Sequence, residues 1–313
     1  MALNPVPWAI DGGKVSAADA RRLAYAATSG ATGITLANDF RVVASTPTGP
    51  SVVVYAGSGV INTLYPLSSK TQSYMVSADT STTVNVAATS GSARTDYLII
   101  KVTDPQYGGA APADLVNGPY VSFALVPSIT NLAYPFLPLA QITQPASNGA
   151  ITQAMITPLR SMSNPRRQRI IFTRNLSAAE TQTFTGASGE VWPNVSTWTM
   201  QIPTWATRAK VVAQWGQVLV PAGNVVGSLW ARLAGVDTQR VQYNTPGSTQ
   251  AARSSFIAAD DIAIPTAVRG TTQNVYMMAT LGTMSATSAR LVLDNGSAIV
   301  LDVEFVEAPT EDA

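Results

Sequence analysis

The stretch AIVLDVEFVEA, residues 298–308, decides the fold class for half of this chain. Ile299, Leu301, Val303 and Phe305 recur at every second position, with Asp302 and Glu304 between them. Side chains alternate across a strand, so one face of this strand belongs in a core and the other in water. RAKVVAQWGQVLV (208–220) repeats the pattern and predicts one face made of Val211, Ala213, Trp215, Gln217 and Leu219. NVYMMATLG (274–282) does so with Val275, Met277, Ala279 and Leu281. LDNGSA (293–298) sets Asn295-Gly296 between two such runs, the dipeptide of a two-residue hairpin. Alternating runs with Gly and Pro turns and no helical period predict a C-terminal β-sandwich, jelly-roll-like, over residues 166–313. The polar end, EAPTEDA (307–313), reads as a frayed tail.

The N-terminal half has another texture. SAADARRLAYAAT (16–28) predicts a helix: Ser16 is the N-cap, Asp19 lies in the first turn, and SGATG stops it. Short β-rich runs follow at 40–45, 51–57, 73–78, 82–88, 96–104, 120–126 and 136–142. ITQAMITPLR (151–160) fits a short helix or an extended segment, and Pro158 bars a long helix. Residues 1–165 therefore read as a helix-plus-antiparallel-β domain. The chain is mainly β, with its domain boundary in the turn-forming SNPRRQR (163–169).

Composition excludes more than it suggests. With 19 Lys and Arg against 18 Asp and Glu, the net charge is +1, which gives no reason to expect nucleic acid. Hydrophobic residues reach 46%, but no apolar run approaches the roughly 18 residues of a membrane span, so no membrane insertion is expected. The start, MALNPVPWAI, lacks the layout of a signal peptide, so synthesis is expected in the cytoplasm. The sequence has no Cys and no His, which removes disulfides, zinc clusters, Cys nucleophiles and His bases. Charged residues are only 12%, a surface suited to a subunit buried in an assembly.

Several residues remain as candidates for chemistry or binding. Asp302 and Glu304 share a strand face and could serve a glycosidase; the ordinary alternative is a solvated outer face. Asp260 and Asp261 are neighbours and point to opposite faces. No calcium loop or phosphate loop is present, so no metal or cofactor is expected. Arg160, Arg166, Arg167 and Arg169 form the one dense basic cluster, read either as a phosphate clamp or as pins between domains or subunits. Trp215 and Trp230 lie inside strand patterns and belong to the core. Trp192 and Trp205 flank prolines, and Tyr243 lies in VQYNTPGS; in such turn-like settings an aromatic ring can stack on a sugar.

Three strings carry a resemblance: VSAADARRLAYAAT (15–28), SARTDYLIIKVTDP (92–105) and LPLAQITQPASNGAITQAMITPLR (137–160), the last followed by NPRR. Together they resemble minor tail proteins of tailed bacteriophages infecting actinobacteria. The matching positions are Arg94, Thr95, Asp96, Asp104 and Pro105, then Leu159, Arg160, Pro165 and Arg166. The likeness covers about the first 165 residues; IPTAVRGTTQNVYMMA (264–279) and SAIVLDVEFVEAP (297–309) match more loosely. The resemblance implies a virion component at a tail tip or baseplate. Its N-terminal module would attach to other tail proteins and its distal module would face a host-surface glycan or protein. It brings no catalytic residues, and the habit of such proteins implies a homotrimer. The expectation is a structural and adhesion protein and not an enzyme.

Overall fold

The computed structural model describes residues 16–186, 188–282 and 289–310. The N-terminal MALNPVPWAI lies outside the described residues. Contacts divide the chain into two units: residues up to Pro165 together with 308–310, and Arg166–Glu307.

In the first unit, α1 (Ala17–Thr28) starts at Ser16, whose Oγ accepts the Asp19 N–H. It ends at Ser29, left-handed at φ 51°, and Gly30 follows at φ 75° with its N–H bonded to the Tyr25 carbonyl. A Cβ at Gly30 would lie 2.4 Å from the Tyr25 ring, so only glycine fits that stop. Ten strands follow: β1 (Gly33–Ile34), β2 (Val42–Ala44), β3 (Ser51–Val54), β4 (Gly57–Asn62), β5 (Ser73–Ala78), β6 (Thr82–Asn85), β7 (Arg94–Val102), β8 (Val121–Val126), β9 (Phe136–Gln144) and β10 (Ile156–Pro158). They form three antiparallel sheets in the orders β1-β4-β5, β2-β3-β6 and β10-β9-β7-β8. Ile34, Phe40, Leu98, Ile100, Leu137 and Leu139 centre the core that these sheets share. ITQAMITPLR resolves into a single 3-10 turn, Gln153–Met155, and then β10.

The second unit continues with β11 (Arg167–Asn175), β12 (Gln182–Thr183), β13 (Glu190–Val191), β14 (Thr197–Gln201), β15 (Arg208–Val220), β16 (Gly223–Leu233), β17 (Val236–Asp237), β18 (Val241–Ser248), β19 (Ala252–Ala263), β20 (Thr272–Leu281), β21 (Val292–Leu293) and β22 (Ala298–Val306). β13 and β14 run one after the other along one edge of β20, and β22 and β21 along one edge of β15. Merging these broken strands, β12 with β11 and β17 with β18, leaves eight tracks in chain order. One layer then reads 1-8-3-6 (β11, β22, β15, β19) and the other 2-7-4-5 (β14, β20, β16, β18), all antiparallel. Two interlocked Greek keys of this order make a jelly roll. Trp215, Ile299, Leu301, Val303 and Phe305 are fully buried between its layers.

Three details depart from the expectations. In β15 the pairing register shifts between Trp215 and Val218, with Gln217 at φ 58°. This bulge adds a residue, so Val218 and Val220 enter the core in place of Gln217 and Leu219. Asn295-Gly296 makes no hairpin: β21 and β22 both pair with β15, and the dipeptide bridges an interruption along that edge. Glu307 is buried and the Thr310 N–H bonds to the Ala37 carbonyl at 3.0 Å, so the tail is held as far as residue 310. Residues 311–313 lie outside the described residues.

Candidate functional site

The outer face of β22 carries the carboxylates singled out for glycosidase chemistry. Register sets Arg169 opposite Glu304 and Ile171 opposite Asp302 on β11, and Lys210 and Val212 opposite the same two residues on β15. Arg169 grips Asp302 with two N–H groups, one at 2.8 Å. Arg167 lies 3.7 Å from Glu304 and Lys210 4.0 Å. The hydrogen bond from Arg169, opposed by partial burial, holds the Asp302 carboxyl below the usual carboxylate range. A glycosidase acid needs the opposite shift, toward a proton retained near neutrality. The pair thus forms part of a solvated ladder of charges on an antiparallel sheet. Asp260 and Asp261 are engaged as well, accepting from the Gln239 N–H at 2.7 Å and from Arg208 at 2.9 Å.

The four arginines expected to span domains or subunits each bond within their own unit. Arg160, 7% exposed, donates to the carbonyls of Asp39 at 2.8 Å, Thr310 at 2.7 Å and Ala37 at 3.3 Å. Arg166 makes a two-pronged pair with the buried Glu307 at 2.7 and 2.6 Å, and its guanidinium lies 5.5 Å from the Trp205 ring centroid. Arg167 and Arg169 belong to the charge ladder. The dense run of positive charge in the sequence is thus divided among carbonyls and carboxylates inside two folds. Arg160 falls in the first unit, while Arg166 and Arg167, where β11 begins, face opposite sides, as consecutive strand residues do.

Of the three aromatics expected to contact a ligand, Trp192 and Tyr243 are buried. Trp192 is 1% exposed, with Phe184 5.4 Å away, and its carbonyl accepts the Trp215 indole N–H at 3.0 Å. Tyr243 is 2% exposed and donates to the Thr280 carbonyl at 3.1 Å; burial raises its pKa to about 12. Gly227 makes room for it, since a Cβ there would lie 2.2 Å from the phenol oxygen. Trp205 is half-buried against the core beneath Arg166. Trp215 lies in the core as expected. Trp230 is buried too, but on the other side of its strand, with the Arg240 guanidinium 4.1 Å from its ring centroid.

The residues carrying the phage resemblance do structural work in the first unit. Arg94 bonds Asp96 at 2.7 Å and the carbonyls of Ala87 and Ala88. Asp104 accepts from the Tyr74 hydroxyl at 2.9 Å and the Gln106 N–H at 2.9 Å, and lies 3.4 Å from Arg21. Sequence reading passed over the two concave places in this unit that meet at Arg41 and Tyr55. The signal was present: the alternation of FRVVAS sets Arg41, Val43 and Ser45 on one face. Among the described residues, no group of acidic side chains could hold a metal ion, and no helix is long and apolar enough to cross a membrane.

No protein-family profile and no curated protein matches the chain. Solved structures similar to it include a particle of infectious bursal disease virus, Gx strain, at 10% identity and TM-score 0.25, covering 90% of this chain and 75% of that one. The VP2 subviral particle of the same virus matches at 11% identity and TM-score 0.23, covering 93% and 82%. Dimeric latent PorU from Porphyromonas gingivalis matches at 9% identity and TM-score 0.29, covering 89% and 26%. At this identity and overlap the likeness carries no functional inference, and function must be argued from the residues.

Proposed function

We propose that this chain is a structural virion protein of a phage tail tip or baseplate, built as a homotrimer, whose jelly roll contacts the host surface. The observation that supports it is the work done by the resemblance-bearing residues. Arg94, Asp96, Asp104, Arg160 and Arg166 are all engaged in holding loops and strand ends, so what the motif specifies is a scaffold. The pairing of Asp302 with Arg169 speaks against Asp302 as the proton-donating acid of a glycosidase, because it favours the ionised carboxylate. With Trp192 and Tyr243 buried, host contact would fall to the outer face of the β11-β22-β15-β19 layer, where Ile171 and Ile257 are about half exposed. The same burial favours a second reading, a tail spacer that never touches the host.

Antibodies raised against the purified full chain are expected to decorate the tail tips of virions in negative-stain images; decoration confined to capsids would overturn the virion-tail reading. Fluorescently tagged full-length protein distinguishes adhesion, which labels host cells, from the spacer role, which leaves them dark. Light scattering is expected to give three chains per particle, and a monomer at micromolar concentration defeats the trimer. An enzyme would release soluble sugar from host walls and lose that activity in Asp302→Asn.

A further inference from the structure

The first unit carries a groove that none of the sequence motifs accounts for. β2 is the edge strand of its sheet, and its alternation turns Arg41, Val43 and Ser45 to one side. The β2–β3 register continues past Val42↔Val54, with the Tyr55 N–H donating to the Arg41 carbonyl at 2.9 Å. Arg41 and Tyr55 are therefore cross-strand neighbours, and the guanidinium lies 4.7 Å from the ring centroid. Tyr55 keeps 40% of its surface exposed. A cleft of about 480 Å³ and another of about 300 Å³ meet at this pair, volumes typical of ligand sites.

The chemistry of the walls narrows the ligand. The larger cleft is lined by the hydroxyl residues Ser45, Thr46, Thr48 and Thr152 and by Gln153, and the smaller by Asn38 and Ser81. Gln153 is fixed in place, its Oε1 accepting the Ala44 N–H of the strand edge at 3.0 Å. Ser45 Oγ is buried without a hydrogen-bond partner, which buried hydroxyls seldom are. Arg41 is the one charged side chain lining the larger cleft. In the smaller, the Asp39 carboxylate already accepts from the Leu36 N–H at 2.9 Å and Ser58 Oγ at 3.1 Å. A single cation cannot track a nucleic-acid backbone, and walls rich in hydroxyls do not suit an apolar peptide. An exposed ring beside many short hydroxyl and amide groups suits a sugar, whose C–H face stacks while its hydroxyls hydrogen-bond.

We propose that this groove of the first unit binds a saccharide chain, neutral or acidic, with Tyr55 as its stacking platform and Arg41 and the threonines as polar contacts. The site is separate from the jelly roll and stands whether or not that unit touches the host. Fluorescent full-length protein on a printed array of neutral and acidic oligosaccharides is expected to retain at least one of them, with titration calorimetry giving its affinity. Tyr55→Ala should weaken that binding about 10-fold or more, as loss of a stacking ring does, while Tyr55→Phe stays within about twofold. Arg41→Ala should weaken acidic saccharides more than neutral ones. Thr48→Trp, which fills the larger cleft from an exposed turn, should block binding even if Tyr55→Ala proves unstable. No saccharide above background, or binding that survives both Tyr55→Ala and Thr48→Trp, overturns the proposal and leaves the virion assignment to its own test.

Discussion

The jelly roll's longest strands run 13 and 12 residues, and its core is a continuous apolar layer. In the first unit the longest strands run nine residues, and three charged side chains (Asp39, Asp96 and Arg160) are buried among them, against Glu307 alone among the described residues of the second. Long ladders pair most backbone groups with one another. Short strands leave carbonyls and amides unpaired at their ends, and a buried polar group without a partner is costly. In the first unit charged side chains fill that gap: Arg160 serves three carbonyls, Arg94 two, and Asp39 the Leu36 N–H. Both units have an apolar core, and the first adds polar latches between its short pieces.

Substitutions at three positions test this contrast. Trp215→Ala, which empties the centre of the sandwich, is expected to cost about 4 kcal/mol. Hydrogen exchange should speed throughout Arg166–Glu307 and stay unchanged in the first unit. Arg160→Ala should cost about 2 kcal/mol by stranding the buried Asp39 carbonyl and removing a donor from the part-buried Ala37 and Thr310 carbonyls. Its exchange signature should be local, around Ala37 to Asp39 and Thr310; a uniform rise across the chain would contradict a latch. The smallest effect is expected at the β15 bulge. Gln217→Val places a β-branched residue at φ 58° and should cost about 1 kcal/mol in chemical denaturation, whereas Gln217→Gly should be neutral or slightly stabilising. Equal stabilities for the two would show that the bulge relaxes freely.

The alternation from Ile299 to Phe305 was legible because a strand's period is a local property, and β22 buries those residues as the pattern requires. The same reasoning failed at Gln217 and Leu219, where one extra residue in a bulge shifts everything beyond it to the other face. Asn295-Gly296 misled for a related reason. The dipeptide specifies a turn, but whether the flanking strands pair with each other or side by side on a third is decided by β15. Trp192 and Tyr243 read as turn aromatics, yet the space beside Phe184 and over Gly227 draws both rings inside. Tyr55 closes the apolar run SVVVYAG with no signal of its own, and its place beside Arg41 follows from the β2–β3 register.

By itself the sequence determined the β class, the capped helix, the core-facing residues of the regular strands, and the exclusion of His and Cys chemistry. These follow from covalent composition and from periods of two and 3.6, which need no distant partner. Only the tertiary structure decided the order of the eight strand tracks, the carbonyls and carboxylates that each arginine of the cluster meets, and the groove at Arg41 and Tyr55. Each of these depends on which residues meet across long stretches of chain, and on whether a side chain finds a neighbour or open space when they do.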